Sequence, residues 1–347
     1  MLNFLLKRIA YGLLVLVGVV VIVFFLFQGF GDPARLVLGQ TGDSATIQNV
    51  RKELALDQPK WKQFLFYLND VSPVSINTQQ EIKEKDLKGF FIGGKEKLGI
   101  KIPYLRRSYQ SKKQVSAVLM EALPATVLLA FSAIILAIVI GIPLGVLAAV
   151  KQNTWIDRTA VFASTLGISA PSFFIGIIIA YLFGFVLHRY TGLFMTGNMY
   201  EYDINGKHWA LQNLILPAVT LGIRPLAIIV QLTRSAMLDV LGKDYIRTAF
   251  AKGLSKNSVV WKHALPNALN PVATAVTGWF AELLAGAFFV EYIFNWNGIG
   301  KVTTDALNEL DFPVVMGSVL VTATFFVAVN ILADILYGII DPRIKIK

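Results

Sequence analysis

Apolar residues along this chain gather into long runs, and six of these are long enough to cross a bilayer as helices: about 9 to 30, 121 to 150, 158 to 188, 214 to 236, 267 to 292 and 312 to 340. A span needs ~20 residues, so the longer runs are expected to tilt or to extend past the lipid. The fold class this pattern predicts is an all-α polytopic membrane protein with six transmembrane helices. Its parts are an N-terminal transmembrane helix in 1–30, an external domain over 31–120, a five-helix core over 121–340 and a short tail over 341–347. The first run, "IAYGLLVLVGVVVIVFFLFQGF" behind Lys7 and Arg8, exceeds the ~7 to 15 apolar residues of a signal peptide and precedes no A-x-A-like site, so it is read as a retained span.

Two polar stretches interrupt the apolar pattern, 31–120 and 244–266. Among the short connections, Lys7, Arg8, Lys151, Arg158, Arg234, Lys243, Arg247, Lys252, Lys256, Lys262, Arg343, Lys345 and Lys347 fall on one side, against Arg189, Lys207 and Lys301 on the other. The positive-inside rule then places both termini and 244–266 in the cytoplasm, and it tolerates the Lys-rich 31–120 outside because loops beyond ~60 residues translocate largely regardless of charge. Within that external domain, "SINTQQEIKEKDLKGFFIGGKEKLGIKIPYL" carries the least readable pattern.

Composition agrees, with 55% hydrophobic and 16% charged residues. A net charge of +10 would suggest nucleic acid in a soluble domain; beside membrane spans it reads as cationic retention at the cytoplasmic face, and no nucleic-acid partner is expected. The chain has no cysteine, which removes disulfide, thiolate and zinc-thiolate chemistry. "GFFIGGKE" at 89–96 lacks the Ser or Thr that a P-loop needs after its Lys, and "NGIGK" at 297–301 lacks the third glycine of a dinucleotide fingerprint. His188, His208 and His263 are scattered, and no nucleophile elbow is present, so no catalytic residue, metal site or cofactor is expected in this chain.

The 244–266 stretch is ordered in itself. Leu238, Leu241, Tyr245, Ala249 and Lys252 keep helical spacing, and Gly253 supplies the freedom that ends a first short helix. Ser255 then caps a second one, with Leu254 and Val259 at staple positions and Val260, Trp261, Ala264 and Leu265 following until Pro266. A basic amphipathic connector can simply lie on headgroups. This one is long and capped, which suits docking against another protein.

"YIRTAFAKGL" followed by "WKHALPNALNPV" resembles the EAA loop of permease subunits of binding-protein-dependent ABC importers, in its dipeptide, oligopeptide and nickel branch. Arg247, Thr248 and Ala249 fall on the E-A-A triplet, Gly253 on its glycine, and Leu265 and Pro266 on its closing pair. "GDPAR" at 31–35, "LALDQP" at 54–59, "LPAT" at 123–126, "GIPLGVLAAV" at 141–150, "SAPSFFIG" at 169–176, "LTRSAMLDVLGKDY" at 232–245, "FNWNGIGK" at 294–301 and "DPR" at 341–343 are similar to the same branch.

This resemblance implies a prokaryotic inner-membrane subunit that is not an enzyme. Its expected partners are a second permease, two cytoplasmic ATPase subunits that bind ATP, and an extracytoplasmic substrate-binding protein docking on 31–120, 189–213 and 293–311. The ATPase-coupling residues it implies are Tyr245, Arg247, Thr248, Ala249, Gly253, Leu254, Leu265 and Pro266.

Three features depart from the branch: an insertion near 72–104, Arg224 inside the fourth span and Glu282 inside the fifth. At ~1.5 Å per residue these two charges lie at matching depth, which makes them candidates to pair or to hold the termini of a zwitterionic peptide along the substrate path. The proline beside Arg224 offers it a plainer role, bonding freed backbone carbonyls. Peptide, nickel or another small solute remain open as cargo, and an ion-coupled secondary transporter using Glu282 and Asp334 is the rival class.

Overall fold

A computed structural model describes residues 2–28, 56–204 and 206–340. The motifs "GDPAR" and "DPR", and the tail over 341–347, lie outside the described residues. Four described helices are long and apolar enough to span a membrane, within Leu6–Phe27, Val115–Val150, Leu211–Leu241 and Phe312–Ile335. A fifth span exists if a bent pair counts as one.

Two of the six expected spans are not among these four. The third is broken: α5 (Trp155–Ser169) and the helix running from Ser172 to Val186 meet at 107°. The cause is Pro171, which drives Ala170 to an extended ψ of 135° and ends the first helix there. The fifth, α11 (Leu265–Gly286), is helical but is not among the four, because Asn267, Asn270, Thr274, Thr277 and Glu282 dilute its apolar residues. The all-α expectation also fails locally, since a three-stranded antiparallel sheet, β1 (Val74–Thr78), β2 (Gly89–Gly93) and β3 (Glu96–Lys101), occupies the 72–104 insertion. A hairpin, β4 (Tyr200–Asp203) and β5 (Gly206–Trp209), forms in a second connection. Alternation such as "VSINT" has the two-residue period that a pleated strand requires.

The chain divides into two compact units. In one, comprising 6–123 and 302–324, α2 (Lys60–Val71) packs Phe64 edge-on and Tyr67 stacked against Phe24 of α1 (Leu2–Gln28), with ring centroids 5.2 and 5.6 Å apart. Buried Asp70 holds this unit's charges, pairing with Lys85 at 2.6 Å and Arg106 at 3.3 Å while its carbonyl accepts from Lys101. Burial pulls the Lys101 ammonium down to about 8, below its ordinary 10.5, against the attraction of Asp70. Folding thus disfavours protonated Lys101. The unit should gain stability as pH rises from about 8 towards 10.5, and Lys101→Met should remove that rise in thermal unfolding curves.

The other unit, built on 124–301 with 325–340, packs Leu129, Ala133, Ala180, Leu221, Leu283, Phe294 and Trp296 into one core. Its longest elements are the main part of α4 (Val115–Val150), α8 (Ile215–Leu241) and α11. The hydrophobic effect in lipid is weak between helices, so close contact of small residues matters more here than apolar area. A Cβ on Gly145 would come within 2.7 Å of the Val230 carbonyl, which shows how near α4 and α8 run.

Candidate coupling site

Asp244–Ala251 forms α9, with Asp244 in its first turn, where a negative charge suits the helix dipole. Arg247 pairs with that Asp244, and the Thr248 hydroxyl donates to its carbonyl at 3.0 Å. The helix ends on a Schellman pattern: Gly253 N–H donates to Phe250 O at 2.9 Å, and Leu254 N–H donates to Ala249 O at 3.4 Å. Gly253 has φ +79°, the left-handed conformation that only glycine adopts without strain. Ser255 accepts from Ser258 N–H and caps the next turn, as its position predicts.

The second helix does not stop at Pro266. A π-helical turn over Val259–Ala264 carries the chain straight into α11. Widening the turn keeps the Pro266 ring clear of the carbonyl one turn back, so the proline sits in the first turn of α11 instead of breaking it. The 244–266 stretch thereby runs without a break into α11.

Ile246, Ala249, Val259, Val260, Ala264 and Leu265 are buried with Val146, Ala149 and Met237 in one cluster. Ala249 and Leu265 are only 8 and 9% exposed. They form the floor of the segment and hold it on α4 and α8, where the resemblance alone placed them at a partner contact. Tyr245, Phe250, Leu254 and Trp261 flank this floor as an open apolar ridge, each 39 to 45% exposed, beside Arg247, Thr248, Gly253 and Pro266, which are also exposed. Phe250 and Trp261 were missed in sequence because both fit a buried stripe as well as an open one. Beside this floor, Arg234 grips Asp157 through two bonds, one of 2.8 Å, and Asn153 N–H donates to the same carboxylate at 2.9 Å.

Glu291 is the functional candidate that sequence reading passed over. Its side chain is wholly buried. It accepts from the Thr126 hydroxyl at 2.7 Å and Lys301 N–H at 3.1 Å, and Gly300 N–H adds a third bond. Thr126 in turn accepts from Ile299 N–H at 2.8 Å, and the Trp296 indole donates to Ala125 O at 2.9 Å. "NWNGIGK" thus wraps a carboxylate, and Gly298 is required because a Cβ there would lie 2.3 Å from Glu291 Oε1.

Arg224 and Glu282 do not form an ion pair with one another. The Arg224 guanidinium lies 5.7 Å from the centre of the Trp279 ring, a cation–π contact, and Glu282 sits one helical turn beyond Trp279. Trp279 and Glu282 line an open concavity of about 570 Å³ with Ala275, Gly278, Phe326 and Asn330. Both charged side chains are exposed.

Residues 141–346 match the family described as binding-protein-dependent transport system inner membrane component, and residues 1–130 match the N-terminal component of the same system. The chain belongs to this family of permeases. A dipeptide transport system permease protein of Escherichia coli K12 is 37% identical over the whole of both chains. One of Alkalihalophilus pseudofirmus is 34% identical over 99% of this chain and all of that one. A glutathione transport system permease protein of Salmonella choleraesuis is 35% identical over the whole of both. Among solved structures, an inward-facing methionine ABC transporter chain aligns with TM-score 0.53 and 19% identity, over 65% of this chain and 97% of that one, which shows a shared fold. The permease is a transport subunit and not an enzyme, as its sequence predicted.

Proposed function

We propose that this permease is one half of the translocation path of an ATP-driven peptide importer, and that residues 244–266 seat in a partner ATPase. The observation that supports this most directly is the free apolar ridge of Tyr245, Phe250, Leu254 and Trp261 on a packed floor continuous with α11. A ridge so mounted passes a push on the segment to the membrane helix. Full-length similarity to dipeptide and glutathione permeases supports peptide cargo.

In this reading α11 and the broken pair count as spans, giving six, with both termini cytoplasmic and 31–120 outside. A second, related permease completes the path, because substrate sites near the midplane form between two such halves. Two ATPase subunits and a substrate-binding protein complete the importer. Gly253→Val tests the seat: the αL strain should displace Leu254 and Ser255, and less ATPase should co-purify while the permease itself stays in the membrane. Full recovery of the ATPase with full transport would refute the docking role.

Arg224 lies over the Trp279 indole and Glu282 lines the concavity with that Trp279, so the two offer opposite charges to the termini of a peptide held there. Glu282→Gln should therefore lower uptake of dipeptides with a free amino terminus at least about tenfold, and should leave N-acetylated dipeptides, already poorly carried, unchanged. Equal losses for both substrates would remove Glu282 from that role.

A further inference from the structure

The sheet in the 72–104 insertion is inside out. Its strand register aligns Val74, Ile100 and Phe90 in one row and Ile76, Leu98 and Ile92 in the next, all on the same face. These six, with Ile102, are 55 to 71% exposed, while Ser75, Asn77 and Lys101 on the opposite face are buried. Water-facing sheets normally show the reverse, polar out and apolar in. The apolar face amounts to roughly 700 Å², beyond the 300–600 Å² typical of a monomer's largest patch and close to one side of a standard protein interface.

What covers this face follows from the order of layers. On α2, Phe64, Tyr67 and Val71 pack with Val20 and Phe24 of α1 and with Met316 and Leu320 of α14 (Phe312–Ile340). Asn69 and Asp70 of the same helix hold the sheet, Asn69 along the outer edge of β1 and Asp70 from the side of the polar face. Asn69 exchanges two bonds of 2.9 Å with the Ile76 backbone, and Lys101 reaches the Asp70 carbonyl. The sheet's apolar face is consequently turned away from the apolar helices α1 and α14. Lipid around those helices is on the wrong side to reach it.

We infer that this face is a docking platform for a soluble protein approaching from outside, the place filled by the substrate-binding protein in the importer reading on which this inference rests. Exposed Lys83, Lys88 and Lys95 border it together with exposed Glu84, Asp86 and Glu96, so the fitting partner surface is apolar at its centre with charges of both signs at its rim.

The chain has no cysteine, which makes single-site labelling direct. The complete importer, with its companion permease and ATPases in nanodiscs, is prepared with Ile100→Cys carrying an environment-sensitive fluorophore. Adding the purified cognate substrate-binding protein should shift the emission to the blue. In unlabelled importer, Leu98→Glu should raise the binding-protein concentration needed for half-maximal ATPase stimulation at least about tenfold, with basal hydrolysis unchanged. Leu98 is exposed, so the change spares the fold. An unchanged half-maximal concentration overturns the platform while leaving the importer intact. Quenching of the label by spin-labelled lipid, or shielding by the companion permease before any binding protein is added, overturns it in favour of those occupants. If the binding protein fails to stimulate even the wild-type importer, the importer reading itself falls.

Discussion

Leu254→Asp should leave the permease folded in the membrane and cut substrate-stimulated ATP hydrolysis by an order of magnitude or more. Leu254 follows the left-handed Gly253 and stands free on the ridge, so a carboxylate there meets water in the isolated chain. Against an apolar cleft in a partner, the same charge must be desolvated without a counter-ion, a loss of at least about 2 kcal/mol or ~30-fold in affinity. Leu265→Ala makes the contrast. Leu265 lies in the floor with Val146 and Met237, and truncating it should cost about 2–4 kcal/mol of packing. That loss should appear as less folded permease, whereas each Leu265→Ala molecule that does fold keeps its ridge. Measuring membrane yield and ATPase rate per assembled complex separates the two variants, and equal behaviour in both assays would dissolve the distinction between floor and ridge.

Glu291→Ala should be the most damaging single change outside the coupling stretch. It removes the acceptor for Thr126, Gly300 and Lys301 at once and leaves a hole at a buried polar site. Unsatisfied buried donors cost ~1–3 kcal/mol each, so a total of about 3 kcal/mol or more is expected even after partial rehydration. Glu291→Gln keeps an acceptor oxygen and should retain a substantial part of the fold. Thermal unfolding of the purified permease in detergent checks the order, wild type above Gln above Ala; a Glu291→Ala variant as stable as wild type would show that the turn is held by other means.

Long apolar runs announced most of the helices, because a span must satisfy its backbone internally and therefore leaves a long, one-sided signature. Signals carried by single residues fared differently. Gly253 and Ser255 were legible as an end and a cap, since each is favoured there for a local reason. Pro171 and Pro266 carried opposite outcomes that sequence did not distinguish: one breaks a helix by 107°, the other is absorbed by a π-turn. Glu291 was invisible because its partners are 165 residues away on Thr126 and in a glycine turn that resembles a failed nucleotide motif. The sheet in the insertion was missed because its alternation is apolar on the exposed face, which hides the usual cue. Arg224 and Glu282 stood out in sequence as charges inside apolar runs, and the element missing from that reading was Trp279, an aromatic that sequence assigns to core by default.

The central claim is that this chain moves solute only as part of an ATP-driven assembly. Proteoliposomes holding the permease, its companion permease and both ATPases, with the substrate-binding protein outside and ATP within, give the direct measurement. The account predicts that radiolabelled dipeptide accumulates in these vesicles, and that accumulation stops without ATP hydrolysis or with Leu254→Asp. Uptake by this chain alone, driven by an imposed proton or sodium gradient and indifferent to ATP, would contradict it.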